Sequence, residues 1–356
     1  MNIQTLLSQA IAEKVSDIFI ISHLPVTFKI DGNFAKQGEE LMTPEHTQDL
    51  IAQIYALAGN RSQDTLRTSG DDDFSFSVAG LGRFRANTFR QRGSFAAVIR
   101  VIMFDLPNAQ EFGIPQSVMN LSSVSHGLVL VTGPAGSGKS TTLACIIDEI
   151  NRSRSGHIIT MEDPIEFIHR HKKCIVSQRE VPSDTHSYVT ALRAALRQSP
   201  NILLLGEMRD FETIEIAMTA AETGLLVFST LHTIGAANTI DRIIDVFPTN
   251  QQRQIRMQLS MVLKAVVSQQ LLPCTTGGQV AAFEVMLANL AVQNMIREEK
   301  IHQIDSVIFS GAKEGMVTMD NSLFALYQNG RISAQDAILH STNYDAMNAR
   351  IGTADK

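Results

Sequence analysis

Apolar and polar positions recur along the chain with two periods, one helical and one alternating, and the order in which they appear divides it. Residues 3–14 place apolar side chains at helical spacing, which predicts an amphipathic helix. Residues 18–21 and 26–30 read as short strands, with Asp31-Gly32 as a turn. Thr43-Pro44 then opens a helix with its cap and first-turn proline in order, and Gly59 ends the pattern. Residues 74–78, 83–91 and 95–102 read as further strands, so this half is an α+β domain. Periodicity lapses over 105–115, where Pro107, Gly113 and Pro115 crowd together. A hinge linker is expected there.

Beyond it, residues 128–132, 158–162, 202–205 and 225–230 are apolar runs short enough for buried parallel strands. Helical stretches separate them: 184–199 stops at Pro200, and 210–223 starts on a capping acid and stops at Gly224. This alternation predicts an α/β fold whose ligand lies at the carboxyl ends of a parallel sheet. Ile255, Leu259, Val262, Leu263 and Val266 form an apolar helical face, extended by Met257 and Met261. Residues 169–173 read as a solvated basic loop. After Thr318 two short helices are expected, with Ser333 and Asp336 at capping-box spacing.

Chemistry concentrates around LVLVTGPAGSGKSTTLACIIDEI, residues 128–150. Gly133, Pro134, Ala135, Gly136, Ser137, Gly138, Lys139 and Ser140 fit GxxxxGK[ST], extended by Thr141, between a strand and a helix. Such a loop turns backbone N–H groups around phosphate, its lysine reaches the β and γ phosphates, and the Ser140 hydroxyl can ligate Mg²⁺. A nucleoside triphosphate site follows. Hydrolysis further needs an acid near the metal and a carboxylate to orient water. The strand ends offer Glu162, Asp163 and Glu166, then Glu207, then His232. Glu207 is placed like a Walker B acid; Glu166 reads equally as a solvated carboxylate, and His232 as a core histidine.

The 356 residues suggest two or three domains, and 44% hydrophobic content is that of a globular protein. A net charge of -6 argues against a chain that coats nucleic acid. Arg83, Arg85, Arg90 and Arg92, interleaved with Phe84 and Phe89, leave a DNA-translocating motor as the minor alternative. Cys145, Cys174 and Cys274 stand far apart, too few and too scattered for a disulfide framework or structural zinc. No apolar run approaches a spanning helix, and no basic side chain precedes Lys14. A cytoplasmic protein without a signal peptide is expected.

GPAGSGKST at 133–141, TMEDPIEF at 160–167, LLLGEMRD at 203–210 and STLHT at 229–233 together resemble the Walker A, Asp, Walker B and His boxes of the type IV pilus retraction ATPases, the PilT family within the type II/IV secretion ATPases. Similarity continues through ALRAALRQ at 191–198, NMIREEK at 294–300 and GMVTMDNSL at 315–323. The resemblance implies a PAS-like α+β domain over 1–104, a hinge at 105–115, a RecA-like P-loop NTPase core over 116–290 and a helical C-terminal region over 291–356. It implies Glu166 as catalytic carboxylate, Glu207 as Walker B acid, His232 as γ-phosphate sensor, and Arg85 and Arg100, with Arg92 weaker, as arginines reaching the phosphates. ATP and Mg²⁺ are the implied cofactors, Mg²⁺ held by Ser140 and Glu207. A homohexamer is implied, docked on the inner-membrane platform protein of the pilus machinery and so peripheral to the cytoplasmic face of that membrane. Arg193 and Arg197, one helical turn apart, offer a cationic edge to a neighbouring subunit. Ala135, Ser199, Asn201 and VSDIFI at 15–20 depart from the family pattern, none at a catalytic position. Pilus-extension and type II secretion ATPases share the boxes but resemble this chain plus a four-cysteine zinc module; the scattered cysteines and short N-terminal region favour retraction.

Overall fold

The computed structural model describes residues 2–30, 32–102 and 106–354. The expected turn at Asp31, the last two residues of the expected first domain and the first residue of the hinge therefore lie outside the described residues. Contacts divide the chain into two compact units, Met1–Asp105 with Glu166–Ile168, and Leu106–Ile165 with His169–Lys356.

The first unit runs α1 (Ile3–Ala12), β1 (Asp17–Ile20), β2 (Thr27–Ile30), β3 (Asn33–Lys36), α2 (Pro44–Leu57), α3 (Asp64–Ser69), β4 (Asp71–Val78), β5 (Gly82–Gln91) and β6 (Ser94–Ile102). Its described strands form an antiparallel sheet in the order β3-β2-β1-β6-β5-β4. Alternation sets which face is covered: Phe84 and Ala86 on β5 and Ala97 and Ile99 on β6 pack with Leu50, Ile51 and Ile54 of α2. Arg85 and Arg100, one residue out of phase, share the other face and are cross-strand partners. As expected, the Thr43 side chain caps α2. The short edge strand β3 and helix α3 carry too little pattern to have been read.

The second unit continues with α4 (Gln116–Met119), β7 (Gly127–Thr132), α5 (Lys139–Ser153), β8 (Gly156–Glu162), β9 (Cys174–Glu180), α6 (Tyr188–Ala195), β10 (Ile202–Leu205), α7 (Phe211–Glu222), β11 (Leu226–Leu231), α8 (Ala236–Asp245), α9 (Thr249–Val262), β12 (Leu263–Pro273), β13 (Gln279–Leu287), α10 (Leu290–Arg297), α11 (Ile304–Ser310), α12 (Met319–Gln328), α13 (Ala334–Leu339) and α14 (Tyr344–Ala354). The sheet order is β13-β12-β7-β11-β10-β8-β9, parallel except for the antiparallel β12-β13 pair. Both faces are covered, so β7 is buried throughout: Leu128 and Leu130 enter one core, Val129 and Val131 the other. This is the α/β core expected from the alternation of strands and helices.

Several local expectations are corrected. Leu263 and Val266 belong to β12, because α9 ends at Val262; Met257 and Met261 are exposed rather than part of the core face. The helix expected over 184–199 is only α6: Ser187 caps it, and Asp184 instead accepts from the Glu180 N–H at 2.8 Å. Arg197 consequently lies beyond the helix end, while Arg193 pairs with Glu212. In the supposedly solvated loop, His169 is buried and Lys172 forms an ion pair with Asp148. Among the described residues, the chain after Thr318 forms three helices rather than two, with the Ser333 side chain capping α13. Helices α12 to α14 build their own apolar cluster, in which Leu323, Ala337 and Ile351 pack with Leu272 and Ala282 of the β12-β13 pair.

Candidate functional site

Three glycines shape the turn between β7 and α5. Gly133 has φ 138°, and a Cβ there would lie 2.1 Å from the Gln269 carbonyl oxygen. Gly138 has φ 86° and leads into α5; its Cβ would lie 2.8 Å from Gln269 Nε2. Gly136 has φ 76° and open space around it. Only glycine accepts these left-handed angles cheaply, and the first two positions also need the missing side chain for close packing. The Lys139 ammonium is buried and donates to the carbonyl oxygens of Gly133 and Pro134, at 2.9 Å each. The loop thereby holds a cation in its own curve, beside the amides and positive dipole end of α5. Ser140 and Thr141 are half-buried on the first turn of that helix.

Two strands supply the polar groups beside it. Glu207 follows β10 and His232 follows β11, so parallel register brings them together: His232 Nε2 lies 3.2 Å from Glu207 Oε1. Arg209 Nη2 lies 2.7 Å from the other carboxylate oxygen. Partial burial raises the Glu207 carboxyl, but its interactions with Arg209 and His232 outweigh it, so its pKa is lowered and the group is ionised near neutral pH. A cavity of 270 Å³ opens beside Glu207, Arg209, His232 and Thr233. At the end of β8, Glu162 accepts from Thr160 Oγ1 and Gln178 Nε2, at 2.5 and 3.2 Å. A second cavity, of 430 Å³, lies against Gly138, Thr141 and Thr142, with Phe283, Leu326 and Arg331 on its walls.

The model of the Type II/IV secretion system protein family matches residues 1–338. The chain belongs to this family. It is 45% identical, over 95% of its length and 97% of the relative, to the type IV pilus retraction ATPase PilT of Pseudomonas aeruginosa. A twitching motility protein of Neisseria gonorrhoeae is 41% identical, over 97% of this chain and 92% of the relative. Among solved structures, the pilus retraction motor PilT with bound ADP aligns with a TM-score of 0.90 at 46% identity, covering 97% of this chain and 98% of that one. The boxes at 133–141, 203–210 and 229–233 fall at the carboxyl ends of the neighbouring parallel strands β7, β10 and β11, the edge at which open α/β sheets bind ligands.

The remaining residues singled out in the sequence lie in the first unit. Glu166 is exposed and directly follows buried Ile165, whose N–H donates to Glu180 Oε2 at 3.0 Å. Arg85 forms a two-pronged ion pair with Asp73, at 2.9 and 2.6 Å, and Arg100 pairs with Asp17 at 3.0 Å. Sequence reasoning missed the residues that hold the loops. Ser268, Gln269 and Gln270 are buried on β12. Gln269 Oε1 accepts from Thr142 Oγ1 at 2.8 Å, Ser268 Oγ accepts from the Gly235 N–H at 2.9 Å, and Gln270 Oε1 lies 2.9 Å from His340 Nδ1. Their signal was available: three consecutive polar residues inside the otherwise mostly apolar run LKAVVSQQLLP, since buried polar groups need partners.

Proposed function

We propose that this chain is an ATP-hydrolysing motor that drives retraction of type IV pili, and that it works as a homohexamer docked on the inner-membrane platform protein at the cytoplasmic face. The observation that carries the reading is the set of polar groups beyond the ends of the consecutive strands β7, β11 and β10: Lys139 held inside the glycine loop, and Glu207 bonded to His232.

In this reading the loop amides cradle the phosphates, and Lys139 exchanges the Gly133 and Pro134 carbonyls for β and γ phosphate oxygens. The cavity walled by Phe283, Leu326 and Arg331 takes the base and ribose. The Ser140 hydroxyl and Glu207 carboxylate are hard oxygen donors of the kind Mg²⁺ selects, and bound Mg²⁺ would neutralise charge on the β and γ phosphates. Glu166 orients and deprotonates the attacking water. His232, hydrogen-bonded to Glu207, contacts the γ-phosphate and reports its loss. Arg85 and Arg100 exchange Asp73 and Asp17 for phosphate oxygens as charge develops. Residues 1–104 then swing about 105–115 relative to the core at 116–290 and the helical region at 291–356, and the ring converts that swing into pulling.

The site assignments are tested by ATP turnover and nucleotide titration. Lys139→Ala is expected to lose nucleotide binding. Glu166→Gln is expected to keep ATP affinity while kcat falls by about a hundredfold or more, because a group acting on the attacking water stabilises the transition state alone. Near wild-type turnover in Glu166→Gln would move the role to Glu162 or Glu207.

A further inference from the structure

Glu284 has no part in the chemistry above, yet it is a carboxylate with 5% exposure. It stands directly opposite Ser268 in the β12-β13 register. This cross-strand pair takes consecutive backbone amides of the turn that follows His232: Gly235 N–H donates to Ser268 Oγ at 2.9 Å, and Ala236 N–H to Glu284 Oε1 at 2.8 Å. The second oxygen, Glu284 Oε2, accepts from the Met319 N–H at 3.4 Å. Ala236 opens α8 and Met319 opens α12, so one carboxylate joins the amino ends of two helices, whose first-turn amides lack partners and whose dipoles favour a negative charge. Burial pushes the carboxyl up, the two amides pull it back, and Asp305 and Asp320 push it up further.

The connection on either side is stiff. Gly235 has φ 85° and ψ 148°, Thr233 Oγ1 lies 2.7 Å from Thr239 Oγ1, and only three residues separate His232 from Ala236. Toward the C-terminus, Val285 and Val317 exchange both backbone hydrogen bonds, at 2.8 and 3.1 Å, two residues before Met319. A shift of the His232 turn can therefore reach α12 through one side chain. We propose that Glu284 is a positioning residue that couples the His232 turn to α12 and, through the cluster that α12 shares with α13 and α14, reports nucleotide state to the C-terminal helices. The proposal rests on the reading of His232 as a γ-phosphate contact.

A merely structural cap would stabilise α12 equally in every nucleotide state, so the test is a difference between states. Amide hydrogen exchange is measured on the full chain with ADP and with a non-hydrolysable ATP analogue. Wild type is expected to show protection at 319–323 that differs between the two by about fivefold, the lower end of ordinary coupling energies. Glu284→Gln is expected to abolish that difference, because its amide presents one acceptor oxygen and turns a donor toward the other N–H. Protection of α5 by ADP should persist in the variant. Ser268→Ala, which removes the acceptor for Gly235 alone, is expected to diminish the difference and serves if Glu284→Gln does not fold. Wild-type exchange at 319–323 that ignores the nucleotide, or a difference that survives in these variants, overturns the coupling. Absence of α5 protection in wild type would instead sink the nucleotide site itself.

Discussion

Gln269 is the side chain whose removal most cleanly separates the glycine loop from the strand behind it. Its Oε1 takes the Thr142 hydroxyl at 2.8 Å, where Gln269 and Thr142 are 3% and 1% exposed. Its Nε2 fills the space a side chain at Gly138 would need. Gln269→Ala leaves the Gln269 backbone carbonyl that backs Gly133 in place, but orphans a buried hydroxyl and opens a void. Leaving the buried Thr142 hydroxyl unsatisfied costs about 1–3 kcal/mol, and the void adds a separate packing loss. Partial recovery through the Thr142 hydroxyl bonding its own helix reduces the sum, so about 2–3 kcal/mol of destabilisation is expected. The amino end of α5 would also lose its fixed distance from β12, weakening ADP binding by about tenfold, or 1.4 kcal/mol. Urea unfolding and ADP titration measure the two effects separately. A stability change below about 0.5 kcal/mol, the size of an ordinary surface substitution, together with unchanged ADP affinity would refute the bracing role.

Burial holds the His169 pKa down to about 4 from 6.5, with Lys172 adding to the effect and Asp148 opposing it. The unfolded chain therefore takes up a proton that the native state refuses: stability is intact above pH 6.5 and falls as pH drops toward 4, by about 3 kcal/mol. Urea midpoints across that range should decline less steeply in His169→Leu, and parallel curves would refute the assignment. Gly133→Ala is expected to lose nucleotide binding, since its Cβ would meet a backbone oxygen at 2.1 Å; wild-type ADP affinity would contradict the close approach of loop and strand. Mixing Lys139→Ala with Arg100→Ala chains is expected to leave ATP turnover absent if Arg100 serves its own chain's nucleotide, and recovered turnover would place it on a neighbour's.

Much of this was legible in the sequence because local chemistry demanded it. A strand, a glycine loop and a helix in that order have few other uses, and Asp210 and Ser333 cap the helices their spacing foretold. Glu207 and His232 were read separately; only the parallel pairing of β10 with β11 places them in contact. What could not be read depends on pairing across long stretches of chain. The β12-β13 pair was hidden because Ser268, Gln269, Gln270 and Glu284 break its apolar pattern, and each is polar for the sake of a partner far away in sequence. His169 looked solvated beside three basic neighbours, yet it is buried near Asp148. Helix α6 ran long in the sequence because nothing before Ser187 forbids a helix, whereas Asp184 is engaged by Glu180.

Retraction, as distinct from extension or secretion, is tested most directly by counting pili on cells whose only copy of this chain carries Lys139→Ala. If the chain powers retraction, the cells keep abundant surface pili and do not twitch. Bald cells would show that it drives assembly and would contradict the account.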